Sequence, residues 1–140
     1  MSAETMKSAV LNLERIAFEE IKYKRDVNKA TRTNDYEMNF TRQIDSREDN
    51  DHFRVALTAL VWDKIENSID FSITIVGFFT CSVEDENTKA NLINNNTIAI
   101  LFPYLRSQIS LVTTQPDLPP MILPPMNIVA MFQESENQNE

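Results

Sequence analysis

The sequence predicts an α+β fold: an antiparallel β-sheet from the first part of the chain, followed by helices. Up to about Val83, apolar residues recur at every second position, the mark of strands with one buried face. Beyond Val83 they recur every three or four residues, the mark of a helical stripe. Strands gathered first and helices afterwards argue for α+β over repeated βαβ units.

Four strands account for the first pattern. Leu11 and Leu13 share one parity, Ile16 and Phe18 the other, and Ile21 and Tyr23 return to the first. A strict two-residue period would send half of these side chains to the opposite face. Either this long strand twists between two buried surfaces, or it carries extra residues near Glu14-Arg15 and Glu19-Glu20, as β-bulges supply. Residues 25–34 have almost no apolar content and read as a connecting loop. Tyr36, Met38 and Phe40 mark a second strand, and Asp45 to Asp51 a polar, acidic turn. Phe53, Val55, Leu57, Ala59 and Val61 alternate as a third. After the turn at Asp63-Lys-Ile-Glu-Asn-Ser, Ile69, Phe71, Ile73 and Ile75 face one way and Asp70, Ser72 and Thr74 the other. That is the pattern of a half-buried antiparallel strand.

Ile98, Leu101, Phe102, Leu105, Ile109 and Val112 form the helical stripe, and Asn94, Asn95, Asn96 and Thr97 are candidate N-caps before it. Pro103 lies inside the stripe. An interior proline costs about 3 kcal/mol, so the helix is expected to kink there or to begin its regular part near Phe102. Residues 116–126 form a proline-rich connector, and a short second helix is expected from Asn127. Residues 1–8 are expected to be flexible, 9–133 to form the folded domain, and 134–140 to be a disordered acidic tail.

Composition excludes several classes of function. The chain has 140 residues, enough for one domain with a real core, and a formal net charge of -8. Its lysines and arginines are dispersed apart from Lys22-Tyr-Lys-Arg25, which argues against nucleic acid or an anionic membrane as partner. A single glycine argues against a glycine-rich phosphate loop. The N-terminus lacks a signal-like apolar stretch, and no run approaches the length that spans a bilayer. Cys81 stands alone, which suits a reducing compartment, so the expected location is the cytoplasm.

No constellation points to catalysis, a cofactor or a metal. His52 and Cys81 do not make a nucleophile–base pair without an oxyanion site, and Cys81 continues the parity of Phe71 and Phe79 as a buried thiol. Asp45, Glu48, Asp49 and Asp51 lack the glycine and closing glutamate of a calcium loop and read as a solvated turn. Trp62 reads as a sheet-packing residue on the third strand. The connector Leu118-Pro-Pro-Met-Ile-Leu-Pro-Pro-Met126 is the most unusual segment. Leu118, Met121, Leu123 and Met126 fit either one wall of a promiscuous apolar groove or a rigid cap over the core, with some residues doing each.

The segments Leu101-Phe-Pro-Tyr104 with Arg106, then Pro125-Met-Asn-Ile128 after a connector, resemble the C-terminal half of the SecB family of protein-export chaperones. Leu11-x-Leu13-x-Arg15-Ile16 with Glu20-Ile21, and Gly77-Phe78-Phe79, extend the resemblance over roughly residues 10–133. It implies a four-stranded antiparallel sheet with two helices, assembled as a homotetrameric dimer of dimers. It also implies an ATP-independent, non-enzymatic chaperone without cofactor, which holds unfolded preproteins and delivers them to the translocase SecA. The implied client groove takes in Leu118, Met121, Leu123 and Met126, and Glu20 matches an acidic position of the SecA-docking surface. Lys24, Asp70 and Ser72 depart from that surface, standing where the family has acidic, apolar and acidic residues. The departure motivates two further readings: a SecB-like chaperone dedicated to one client, such as the antitoxin of a toxin–antitoxin pair, and an adaptor subunit that binds one folded protein.

Overall fold

The computed structural model describes residues 10–32 and 36–138. The strands β1 (Leu11–Arg25), β2 (Tyr36–Ser46), β3 (His52–Asp63) and β4 (Ile69–Cys81) form one antiparallel sheet in the order β1-β4-β3-β2. β2, β3 and β4 follow one another as hairpins, so only β1 is out of sequence. The segment after Arg25 therefore carries the chain from one edge of the sheet to the other.

The changing parity of β1 is resolved by two bulges. Its register against β4 shifts between Leu13 and Arg15 and again between Phe18 and Glu20, leaving Glu14 and Glu19 as the extra residues. As a result Leu11, Leu13, Ile16, Phe18, Ile21 and Tyr23 pair with Cys81, Phe79, Gly77, Ile75, Ile73 and Phe71. Side chains of directly paired residues lie on the same face. These six residues of β1 thus share the face on which β4 packs Phe71, Ile73, Ile75 and Phe79 into the core.

That inner face is covered by a continuous helical run: α1 (Glu86–Asn91), a π-helical turn (Leu92–Asn96) and α2 (Thr97–Val112). The run begins at Asp85, whose carboxylate accepts the Thr88 N–H at 3.2 Å. Asn94 to Thr97 are therefore interior to the run and not its caps. No residue of α1 is buried, so no apolar period announces it. Pro103 lies inside α2, whose regular part begins at Thr97 and not near Phe102. Its missing N–H frees the Ala99 carbonyl; both residues are exposed on one side of an open groove, where water lowers the cost.

Ile98, Leu101, Phe102, Leu105, Ile109 and Val112 pack on Val55, Leu57, Ala59 and Val61 of β3 and on Ile69, Phe71, Ile73, Ile75 and Phe79 of β4. The single glycine marks the close approach. A Cβ on Gly77 would lie 2.8 Å from the Leu101 Cδ2 atom and 2.6 Å from the Phe79 ring.

After Val112 the connector runs back beside α2. The Thr113 hydroxyl accepts the Met121 N–H at 2.8 Å, Ser110 donates to the Met121 carbonyl at 2.9 Å, and Arg106 to the Leu123 carbonyl at 2.7 Å. The last helix, α3 (Ile128–Gln138), is capped by Asn127, whose side chain accepts the Ala130 N–H at 3.1 Å. It continues past residue 133 to Gln138. The expected flexible segment, 1–8, lies outside the described residues. Among the described residues, no helix is long and apolar enough to cross a membrane.

Candidate functional site

The apolar residues of the connector lie at different depths. Leu118, Met121 and Leu123 are buried in the core, Leu123 only 1% exposed, while Met126 is half-buried against it. The first three are therefore core residues of the subunit, one of the two roles that the sequence left open. Their side chains follow the carbonyls and amides that α2 holds, and those bonds turn Ile122 outward to 77% exposure. Ile122 is the apolar residue of the connector that stands free, and its flanking prolines are exposed as well.

The open edge of β2 lies beside the connector and α3. The Arg47 N–H donates to the His52 carbonyl at 3.0 Å, which sets the hydrogen-bonded pairs of the β2–β3 ladder at odd positions of β2. At Met38 and Phe40 the N–H and C=O groups consequently point away from β3, to the open edge. A hollow of about 150 Å³ there is lined by Met38, Asn39, Phe40, Met131 and Phe132. Met131 is 40% exposed.

The opposite edge is less covered among the described residues. Phe18, Ile21 and Tyr23 sit on the inner face of β1, yet each is exposed by more than a third. Ala99, Phe102 and Arg106 turn one flank of α2 to the connector and α3. Ile100, Tyr104 and Leu111, all exposed, occupy the other flank, on the β1 side. Helix and edge strand thus each leave apolar side chains exposed.

Glu20, Lys22 and Lys24 lie on the outer face of β1, across from Thr74, Ser72 and Asp70. The four positions compared with the family's docking surface, Glu20, Lys24, Asp70 and Ser72, are thus brought together in one patch. Glu20 is exposed and pairs with Lys22 at 3.6 Å. The bulge residue Glu19 reaches across the same face, both carboxylate oxygens 2.7 Å from the Arg54 guanidinium. Contacts this exposed contribute under about 1 kcal/mol each. The outer-face residues Val76 and Ala56 are nonetheless buried.

The remaining candidate residues are structural. Burial pushes the Cys81 thiol up, leaving it mostly protonated and unreactive. Asp49 accepts the N–H groups of Asp51 and His52, and its other oxygen lies 2.6 Å from the His52 ring. These bonds hold Asp49 below the usual carboxylate range and close the turn, which is how that acidic cluster is used. Trp62 lies on the outer face between Glu37 and Asp70 and is partly exposed.

Comparison with known proteins bears on the whole arrangement. A family model described as preprotein translocase subunit SecB matches residues 4–139. The chain belongs to the SecB family. It is 32% identical over 88 residues to the protein-export protein SecB of Cellvibrio japonicus, covering 61% of this chain and 53% of that protein. It is 35% identical over 78 residues to an uncharacterized protein of Methanocaldococcus jannaschii, covering 56% of this chain and 50% of that one. The chain thus spans about half the length of these curated relatives. Its fold is similar to that of a SecB-like chaperone of Mycobacterium tuberculosis solved in complex with an antitoxin peptide. The TM-score is 0.69 at 16% identity, over 87% of this chain and 94% of the other. The four-stranded antiparallel sheet with its long and short helices is a SecB-like fold.

Proposed function

We propose that the chain is a subunit of an ATP-independent chaperone that holds unfolded polypeptide and performs no reaction. The observation that carries this reading is the open β2 edge beside flexible apolar side chains. An extended client pairs with the main chain of Met38 and Phe40, which reads no sequence, and lays side chains on Met131 and Phe132. Methionine repacks readily, as a promiscuous surface requires. Ile122 and Met126 extend the same surface, with Leu118, Met121 and Leu123 anchoring the connector beneath. Apolar burial contributes about 25 cal/mol per Å² before ordering costs, and several subunits add avidity.

The exposed apolar residues of β1 and α2 pack against a second copy, in a homotetrameric dimer of dimers. In the cytoplasm the clients are unfolded preproteins and the acceptor is SecA, with Glu20 in the docking patch. A second reading, a chaperone dedicated to one antitoxin, draws on two observations. Lys22 and Lys24 break the acidity of that patch, and the similar M. tuberculosis fold carries an antitoxin peptide.

Light scattering with and without reduced, carboxymethylated α-lactalbumin tests assembly and holding together. A tetramer that binds this permanently unfolded protein with or without ATP is expected. Replacing Ile122 and Met131 by Ser weakens binding about tenfold and leaves the thermal midpoint in place. A chain that ignores lactalbumin yet binds one folded protein is an adaptor, and the holding reading then fails. Recovery of one small partner and no SecA in a pull-down favours the dedicated chaperone.

A further inference from the structure

Arg25 ends β1, and its side chain leaves the sheet. The guanidinium donates to the Asp117 carbonyl at 2.8 Å and the Pro116 carbonyl at 3.3 Å, with the Asp117 carboxylate 3.5 Å away. Its side chain is only 9% exposed. A charge buried to that degree needs well-placed acceptors, and a planar fork meets two consecutive carbonyls in a way an ammonium group does not. The backbone opposite is shaped to receive it. Asp117 is left-handed, at φ 61°, in a tight turn closed by the Leu118 N–H on the Gln115 carbonyl at 3.3 Å. The next residue is Leu118, where the connector enters the core.

On its other side, Arg25 adjoins the segment that crosses from β1 to β2. The Asp26 N–H donates to the Ser68 carbonyl at 2.8 Å, and Thr31 donates to the Ser68 hydroxyl at 2.7 Å. That hydroxyl donates to Asp63 at 2.6 Å. The crossover segment is thereby pinned to the β3–β4 turn, and the connector is pinned to Arg25. Among the described residues, Arg25 makes the side-chain bonds that join β1 to the connector.

We propose that Arg25 is a positioning residue for client binding. It latches the connector to the end of β1, and so governs whether Ile122 and Met126 are held outward as a client surface. This rests on the holding function proposed above. With the latch closed, the turn at Pro116-Asp117 is fixed and Leu118, Met121 and Leu123 stay seated. With it open, the connector pivots on its remaining bonds to α2 and Ile122 loses its fixed direction.

The test uses Arg25→Lys, Arg25→Gln and Asp117→Asn in the full chain. Hydrogen exchange reads the Met121 to Leu123 amides, and fluorescence anisotropy reads affinity for reduced, carboxymethylated α-lactalbumin. Both Arg25 variants are expected to speed connector exchange and weaken binding about tenfold, Lys as much as Gln because it lacks the fork. Asp117→Asn keeps both carbonyls and stays near wild type in both measurements, its carboxylate being 91% exposed. Wild-type affinity in Arg25→Lys, or faster exchange with affinity unchanged, overturns the latch. If Arg25→Gln does not fold, Arg25→Lys decides, since it keeps the charge and the stem. If wild type itself ignores lactalbumin, the holding function fails, and connector exchange in Arg25→Lys then reads the latch alone: unchanged exchange overturns it.

Discussion

The two edges of the sheet solve opposite problems. β2 runs in unbroken register with β3, and its inner side chains, Met38 and Phe40, lie beneath Phe102 of α2 and Met131 and Phe132 of α3. Its main chain is left open and its side chains are covered. β1 carries two bulges, and its inner side chains Phe18, Ile21 and Tyr23 each stay more than a third exposed. Here a continuous apolar row is left open instead. An open main chain suits a partner with no fixed sequence, whereas a fixed apolar row suits a partner of fixed shape, such as another subunit. One sheet thus carries two kinds of unsatisfied edge.

Matched substitutions should break that symmetry most sharply. Leu123→Ser removes a fully buried side chain of the connector from the core and is expected to cost about 4 kcal/mol of subunit stability. Ile21→Ser on β1 should cost under about 1 kcal/mol, because Ile21 is 46% exposed. Urea unfolding at low protein concentration, where assembly does not contribute, compares the two. Equal losses would mean that Ile21 is buried in the folded subunit after all.

Single-residue deletions sharpen the comparison within β1. Deleting Glu19 makes the ladder regular: Phe18 still pairs with Ile75, Glu20 with Thr74, and every apolar residue keeps its face. Only the exposed contact to Arg54 is lost, so the expected cost is about 1 kcal/mol or less. Deleting Ala17 turns Phe18 outward and brings Glu19 against Ile75, at an expected cost of about 2–3 kcal/mol. Circular dichroism melts of the two deletions give the order, and a reversed order would remove the bulge assignment.

The smallest expected effect lies at the end of β3, next to the start of β2. Burial alone would raise the Asp63 carboxyl, but bonds from the Ser68 hydroxyl and the N–H groups of Ile65, Glu66 and Ser68 outweigh it and hold Asp63 below the usual carboxylate range. A depressed folded value stabilises at pH above the unfolded value of about 3.9 and is lost as pH falls through the folded one. Acid should therefore loosen the β3–β4 turn below about pH 4. Asp63→Asn should flatten that stretch of the stability–pH curve, and an unchanged slope would assign the acid sensitivity elsewhere.

Much of this was legible in the sequence where neighbours in the chain are neighbours in the fold. The two parity shifts in β1 located both bulges, because a strand's faces alternate residue by residue. The α2 stripe was legible for the same reason. α1 was not, because it buries nothing and shows no apolar period. The asparagines at 94–96 misled as caps because a π-helical turn uses residues that usually end or begin helices. In the connector, leucine and methionine suit a core and a groove equally. Ile122 was set apart from Met121 and Leu123 by which carbonyls Ser110 and Arg106 reach across space, and spacing along the chain does not encode that. Arg25 and Asp117 were hidden in the same way, being distant in sequence and ordinary in type.

The strand order has a consequence in time. β2, β3 and β4 can zip as hairpins while the chain is being made, but Leu11 must wait for Cys81 and Arg25 for Ile69. At roughly 5–20 residues per second, the first strand emerges from the ribosome several seconds before its partner exists. During that interval an apolar row from Leu11 to Tyr23 is an exposed, adhesive segment, and closing so long a loop is slow. The glutamates left over at each bulge, Glu14 and Glu19, interrupt that row with charge, as gatekeepers do in strands prone to aggregate. The bulges that absorb these two residues keep the apolar row on one face of the finished sheet, while their charges break up the same row before the sheet exists.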